Sequence, residues 1–138
     1  MELAIVVAVI GAFMVVSAPL FLSFIRTSTL RAGAEEMSTV LNRARQLAIQ
    51  DNRSMCVTRT GSHVQYRVGG CGGAVWTGPG TDGTGLIRLA NDITVAGGPD
   101  VVFTYIGTAT SAGTYTVAKD GQTLSVVVAP SGRVSLAP

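Results

Sequence analysis

Two cysteines are the side chains whose type and spacing point most directly to chemistry in this sequence. Cys56 and Cys71 are the only cysteines, and they lie 15 positions apart in the polar part of the chain. An even number of cysteines in a small domain is typical of a disulfide formed in an oxidising compartment. Two free, buried thiols in a cytosolic protein are the alternative. Because neither a CxxC motif nor a histidine pattern accompanies the pair, we predict the disulfide.

Other kinds of reactive site find little support in the sequence. His63 is the only histidine, so it cannot complete a four-ligand zinc site with two cysteines, and we interpret it as a surface residue rather than a base. Ser and Thr residues lack a His/Asp setting, and no paired carboxylates lie in apolar surroundings. The Gly-rich segment 69–85 has no Lys-Ser/Thr pair and opens no helix, unlike a phosphate-binding loop. We therefore predict no enzymatic activity, no catalytic residue, no metal and no cofactor.

The composition indicates that part of the chain lies in lipid or in a core made only of protein. Charged residues make up 13% of the sequence, which is about half the usual share for a globular domain. Hydrophobic residues make up 47%. The net charge of +2 is too small to argue for nucleic acid or acidic lipid as a partner.

The uncharged run from Leu3 to Ile25 accounts for much of this apolar character. A bilayer core needs about 20 apolar residues as a helix, so the run can span one. A signal peptide fits less well, because the run has no basic start, begins after Glu2, and continues as a helical pattern. Arg26 and Arg31 follow the span, and by themselves they would place the C-terminal side in the cytoplasm. The cysteines favour the opposite orientation.

The apolar run continues into an amphipathic helix. Apolar residues recur at alternating steps of four and three, and they form a stripe predicted to pack against a head domain: Leu30, Ala34, Met37, Leu41, Ala44 and Ala48. The residues predicted to face elsewhere are Arg31, Glu35, Asn42 and Arg45. Asp51-Asn52 is a plausible stop. A helix of about 50 residues would be about 75 Å long, which is typical of fibrous or membrane proteins.

The remainder of the chain predicts short strands joined by turns. The predicted strands are Met55 to Thr60, His63 to Val68, Ala74 to Trp76, Leu86 to Leu89, Ile93 to Ala96, Val101 to Ile106, Thr114 to Lys119, Gln122 to Ala129 and Arg133 to Leu136. Asp120-Gly121 is the strongest hairpin turn. The predicted fold class is α+β, with a long N-terminal helix packed on a small antiparallel β head of one or two sheets. Its segments are a transmembrane or filament-core helix (1–25), an amphipathic helix (26–52) and the β head (53–138).

The N-terminal segment resembles that of type IV pilins. Glu2-Leu3 is followed by VVAVIG, ending at Gly11, and by Pro19 within the apolar run. In that family the mature segment begins FTLIEL, with a Gly nine positions after the Glu and a Pro eight further on, and this spacing is reproduced here. Family members carry a short basic leader that ends in Gly and is cut before a residue that becomes N-methylated. Met1 stands where the Ile of FTLIEL would be, so we expect residues to be missing ahead of it.

The resemblance extends along nearly the whole chain, to the pseudopilin H and FimT class. The matching stretches are Arg31-Ala32, Ala34-Glu35-Glu36, Leu41 to Arg45, Ala48-Ile49, Asn52-Arg53 and Val126 to Val134. The resemblance implies the pilin fold and a structural subunit of a type IV pilus-like filament, assembled with copies of itself and other pilins by packing of the N-terminal helices. A minor pilin, a type II secretion pseudopilin or a DNA-uptake pilin is the alternative. It also implies an inner-membrane state before assembly, on an assembly platform, with the head in the periplasm or outside.

The same resemblance implies roles for individual residues. A carboxylate at the edge of an apolar span is costly without a partner, and Glu2 is expected to pair with the N-terminal amine of a neighbouring subunit; the alternative is a position in the headgroup region, favoured by the helix dipole. Gly11 to Pro19 is expected to lose its helical structure in the filament. Some FimT-like pilins bind DNA through a GRxR element, but Ser135 replaces its second arginine here. Contact of Arg133 with DNA is therefore a minor hypothesis.

Overall fold

The chain forms one long helix followed by short strands, as a computed structural model of residues 1–137 describes it. The helix α1 spans Glu2–Gln50 and ends at Asp51, whose backbone N–H donates to the carbonyl of Leu47. The strands are β1 (Met55–Thr60), β2 (His63–Val68), β3 (Ala74–Val75), β4 (Leu86–Ile87), β5 (Thr94–Gly97), β6 (Val101–Phe103), β7 (Gly113–Lys119), β8 (Gln122–Val128) and β9 (Val134–Ala137). The predicted fold class, a long helix with an antiparallel β head, is confirmed.

The strands form two antiparallel sheets. The first has the order β3-β2-β1-β6, with β4 also paired to β2, and the second has the order β5-β7-β8-β9. Asp120 and Gly121, between β7 and β8, have φ angles of 50° and 78°. A two-residue turn with positive φ at both positions matches the right-handed twist of the flanking strands. The predicted hairpin is therefore confirmed, in the register Lys119↔Gln122.

Two predicted strands are clearly shorter in the structure. The strand predicted from Leu86 to Leu89 ends at Ile87, and a turn interrupts the other. The strand predicted from Val101 to Ile106 ends at Phe103. Thr104 donates its backbone N–H to the carbonyl of Thr108 at 2.8 Å, and Gly107 donates to Thr104 at 2.9 Å. The sequence keeps its alternating apolar pattern through this turn, which is why the strand was predicted to be longer. Ile106 is exposed at the tip of the turn.

The second half of α1 packs on both sheets through the predicted stripe. All six stripe residues, from Leu30 to Ala48, are buried, and they share a core with Tyr66, Phe103, Tyr115 and Val126. Alanine and glycine on this face let the strands approach closely: a Cβ added at Gly33 would lie only 2.2 Å from the Ile93 side chain. The helix is therefore an integral part of the core of the head.

The side of α1 predicted to face elsewhere is only partly exposed. Arg31 and Glu35 are exposed and form an ion pair of 3.4 Å, as expected for residues four apart on a helix. The prediction was wrong for Arg45, which is half-buried with its Nε enclosed beside Gly107 and Gly132. Those two glycines have φ angles of 88° and 80°, and without side chains they leave room for the arginine stem. Asn42 is also half-buried.

A disulfide joins Cys56 on β1 to Cys71 in the turn after β2, with Cα atoms 5.0 Å apart. This is the pairing that the sequence predicts. Cys56 is fully buried, so the bond fixes the Gly-rich turn onto the edge of the core. A loop of this size stabilises a fold by about 3 kcal/mol in the chain-entropy estimate. The Asp100 carboxylate lies within 4.8 Å of both sulfurs, but because the sulfurs are bonded to each other they offer no thiolate to a metal.

Candidate assembly surface

The first half of α1 is an apolar surface that the head does not cover. Every residue from Met1 to Ser28 is exposed, and the large apolar side chains from Leu3 to Ile25 are 43–79% exposed. The most apolar window of this helix has a mean hydropathy of 2.7, and its length and composition suffice to cross a membrane. Exposed apolar surface of this extent needs lipid or other protein around it.

Glu2 lies in the first turn of this surface, where the helix has no side-chain cap. The N-terminal end of a helix carries partial positive charge, so a carboxylate is favourable there even without a partner. The exposed position leaves the Glu2 side chain free to meet another chain. The structure contains one chain, so the pairing expected for Glu2 stays a prediction.

Gly11 and Pro19 lie within an unbroken α-helix in this single chain. Within residues 1–137, no atom outside the local helix lies within 4 Å of a Cβ added at Gly11, so no close packing in the single chain requires glycine here. Pro19 has no N–H, so the carbonyl of Val15 lacks its usual helical donor. Between them, Ser17 donates its hydroxyl to the carbonyl of Phe13 at 2.8 Å. Such back-bonding slightly destabilises a helix, so Gly11, Ser17 and Pro19 together mark a weak stretch.

Three contacts outside the apolar stripe hold the second half of α1 on the head. The buried Tyr66 hydroxyl donates to the carbonyl of Val40 at 2.6 Å, and burial raises the pKa of this phenol well above its usual range. The Glu36 carboxylate accepts the backbone N–H of Ala90 at 2.9 Å. The Arg43 guanidinium lies 5.6 Å from the Trp76 ring centroid, within the range of a cation–π interaction. These contacts fix how the apolar half projects from the head.

His63 and Arg133 lie away from the helical surface. His63 is partly exposed at the start of β2, with its Nδ1 enclosed, so it lies at the surface with one face of the ring covered. β5 approaches the end of this hairpin, where Val95 donates its N–H to the carbonyl of Ser62 at 2.9 Å. Arg133 is exposed on the turn before β9. The DNA contact considered for it stays a prediction.

A helix that forms the core of a two-sheet antiparallel head at one end and projects as a bare apolar rod at the other defines the pilin class of proteins. Within it, the family model described as type II transport protein GspH matches residues 33–132. The chain belongs to the GspH family. The family and the fold are those of structural pilins and pseudopilins, and the protein is a subunit of this kind.

The solved structures with a similar fold include the type IV minor pilin FimU of Pseudomonas aeruginosa in two crystal forms. One is 20% identical, with a TM-score of 0.61 over 83% of this chain and 92% of that one. The other is 19% identical, with a TM-score of 0.58 over 79% of this chain and 93% of that one. At this identity the likeness is one of fold. No curated protein matches the sequence.

Proposed function

We propose that the protein is a subunit of a type IV pilus-like or type II secretion filament, anchored in the inner membrane by residues 1–25 before assembly. The observation that carries the proposal is the exposed apolar helix beside a folded head. Lipid tails and the apolar helices of other subunits are equally suitable surroundings for this surface. Transfer from the membrane into a helical bundle therefore needs no refolding of the head.

The head lies outside the cytoplasm in this proposal, in the periplasm or beyond the cell. The disulfide between Cys56 and Cys71 supports this side, because such bonds persist in oxidising compartments. Arg26 and Arg31 oppose it under the positive-inside rule. Topology is measurable: a thiol reagent that cannot cross the membrane should label a reporter cysteine at exposed Ser131 in intact spheroplasts. Labelling only after lysis would place the head in the cytoplasm.

Glu2 provides the sharpest functional test of assembly. We expect Glu2→Ala to stay in the membrane but fail to enter filaments, because lipid insertion does not need the charge whereas pairing with a neighbouring N-terminal amine does. The measurement is the ratio of subunit in sheared filaments to subunit in membranes, by quantitative mass spectrometry. Glu35→Ala is the matched control, since it removes an exposed acid from the half of the helix that packs on the head.

Two outcomes of this experiment would contradict the proposal. Normal incorporation of Glu2→Ala beside the wild type would exclude the pairing role. Absence of the wild-type chain from every sheared or overexpressed filament would exclude the filament itself. A filament that contains the chain at low copy number would favour the minor-pilin alternative over a major subunit.

A further inference from the structure

A groove of about 620 Å³ lies at the base of the head, where α1 leaves it. One wall is the helix and the other is the end of the second sheet, at the start of β8 and the end of β9. The lining residues include Thr27, Leu30, Arg31, Thr123, Leu124 and Leu136. Leu30 is buried and Leu136 is about one-third exposed. The groove thus has an apolar floor and a polar rim.

The position of the groove along the helix places it at the membrane surface when the apolar run is inserted. Ile25 is the last residue of the uncharged run, and Thr27 and Arg31 follow it by two and six positions. At 1.5 Å per residue these positions lie about 3 and 9 Å further along the axis. The headgroup layer extends about 5–7 Å beyond each side of the hydrocarbon core. Thr27 therefore lies within the headgroup layer and the backbone of Arg31 just beyond it. Because helical side chains lean towards the N-terminal end, the long Arg31 side chain can reach back to the depth of the phosphates.

The side chains at this depth suit a phospholipid. The Arg31 guanidinium is 75% exposed and contacts Glu35 through Nε at 3.4 Å, which leaves its terminal N–H groups available. Arginine presents donors in a planar fork that fits a phosphate. Thr123 adds an exposed hydroxyl on the rim, and Leu124 and Leu136 offer apolar surface for the first methylenes of an acyl chain.

The charges at the base of the head balance one another. Arg26 is exposed on the helix, five positions before Arg31. The nearby β7–β8 hairpin carries Lys119 and Asp120, which have opposite signs, and Lys119 Nζ donates to the carbonyl of Asn91. Asp92, next to Asn91, is also exposed at this end of the sheet. Against Glu35, Asp92 and Asp120, the cations Arg26, Arg31 and Lys119 leave the base of the head with no net charge, so Arg31 itself is the group that attracts a phosphate.

We infer that this groove holds one phospholipid of the bilayer while the subunit waits in the membrane. The phosphate accepts hydrogen bonds from Arg31, and part of one acyl chain lies on Leu124 and Leu136. The inference rests on the proposed membrane-anchored state. The bound lipid fixes the height and rotation of the head on the membrane before assembly. It leaves when other subunits replace the bilayer around the helix.

The test uses the full chain reconstituted in bilayers of palmitoyl-oleoyl phosphatidylglycerol, then released into detergent for native mass spectrometry. We expect one retained phosphatidylglycerol per wild-type chain. Arg31→Gln should reduce this adduct about tenfold, which is the effect expected for loss of one charge-assisted hydrogen bond. Leu136→Glu should also reduce it, because the new carboxylate repels the phosphate and replaces apolar surface. Arg133→Gln removes an exposed arginine at a different turn and should retain the lipid. An intact disulfide and an unchanged melting temperature show that each variant is folded.

A second bilayer separates the phosphate from the acyl chains. Monogalactosyl diacylglycerol with the same chains has no phosphate and should not be retained. Equal retention of the two lipids, or an undiminished adduct in Arg31→Gln, would overturn the inference, as would a protein dimer in place of the lipid adduct. Flotation with vesicles distinguishes the two levels of failure. A wild-type chain that floats without an adduct overturns the groove alone, and one that does not float overturns the membrane anchor as well.

Discussion

The two halves of α1 form one continuous helix, but different surroundings cover them. From Met1 to Ser28 every residue is exposed, whereas seven apolar residues from Leu30 to Ala48 are buried in the head. The first half is apolar on all sides, and the second half has one apolar stripe. The backbone geometry is the same in both. The comparison shows that the pattern of side chains, and not the helix itself, determines whether the head, lipid or other subunits complete the structure.

A pair of leucine substitutions gives the largest contrast between the two halves. Leu41 is fully buried and Leu22 is 55% exposed. We expect Leu41→Ala to lower the free energy of unfolding of the head by about 2–5 kcal/mol, because it removes buried methylene groups and leaves a cavity. Leu22→Ala should change it by less than about 0.5 kcal/mol. Denaturant unfolding in mild detergent, followed by Trp76 fluorescence, measures both. Equal effects would contradict the division of the helix.

The weak stretch within the first half gives the next contrast. In lipid the backbone has no alternative hydrogen-bond partners, so we expect Gly11 to Pro19 to stay helical there. In a filament, neighbouring subunits surround it, and the stretch is expected to unwind from about 1.5 Å towards about 3.3 Å per residue. Pro19→Ala should strengthen this helix by about 3 kcal/mol and so reduce filament yield. Pro130→Ala, in the head, is the control.

The structure of the assembled filament decides this prediction directly. We expect residues 11–19 to be non-helical there, with helix on both sides. Unbroken α-helical hydrogen bonding from Leu3 to Ile25 in the filament would contradict it. Normal filament yield from Pro19→Ala would show that assembly does not depend on this proline. The unwinding of residues 11–19 would then be decided by the filament structure alone.

Much of the fold could be predicted because it depends on local patterns. The period of the buried stripe, the alternation of the strands and the Asp120-Gly121 turn each lie within a short window of sequence. Contacts between distant residues could not be predicted in the same way. Tyr66 donates to Val40, which is 26 positions away, and Ala90 donates to Glu36 over 54 positions. No local pattern specifies such partners, since they meet only once the sheets have packed on the helix.

The apolar surface of the first half of α1 could be predicted more fully than the surroundings of polar side chains in and beside the head. The apolar span and the positions of Glu2, Gly11 and Pro19 follow from the N-terminal sequence, and the structure adds the exposure of that surface. The burial of Arg45 and His63 depends on turns and a strand from elsewhere in the chain. Ser17 is recognisable in the sequence as a hydroxyl residue inside an apolar run, whereas its hydrogen bond to the Phe13 carbonyl is shown only by the structure.

A smaller effect is expected from a single hydroxyl between the head and the second half of α1. Tyr66→Phe removes the hydrogen bond to the Val40 carbonyl while keeping the buried ring. The expected loss of stability is about 1–1.5 kcal/mol, the usual net value of such a bond. Tyr105→Phe is the matched control, because Tyr105 is 55% exposed in the turn after β6. Equal melting temperatures for Tyr66→Phe and the wild type would show that this hydroxyl does not hold the helix.

The smallest expected effect is an acid-dependent loss of stability confined to the head. The run from Leu3 to Ile25 has no ionisable side chain, whereas the loop before β4 depends on a carboxylate. Asp82 accepts hydrogen bonds from the Thr84 hydroxyl at 2.7 Å and from the N–H groups of Thr84 and Leu86 at 2.9 and 3.0 Å. Arg88 lies 3.6 Å away. Led by the bond from the Thr84 hydroxyl, these contacts lower the pKa of Asp82 from 3.8 to about 2.

Because the pKa of Asp82 is lower in the folded state, the unfolded chain binds this proton first as the pH falls. The stabilisation from Asp82 is therefore complete above about pH 4 and is lost as the pH approaches about 2. Asp82→Asn should be slightly less stable than the wild type at pH 7, and the difference in melting temperature should shrink between pH 4 and pH 2. Asp120→Asn removes an exposed carboxylate without removing these bonds, so it should have a smaller effect at pH 7. A constant difference between Asp82→Asn and the wild type across this pH range would mean that the loop is held by its backbone alone.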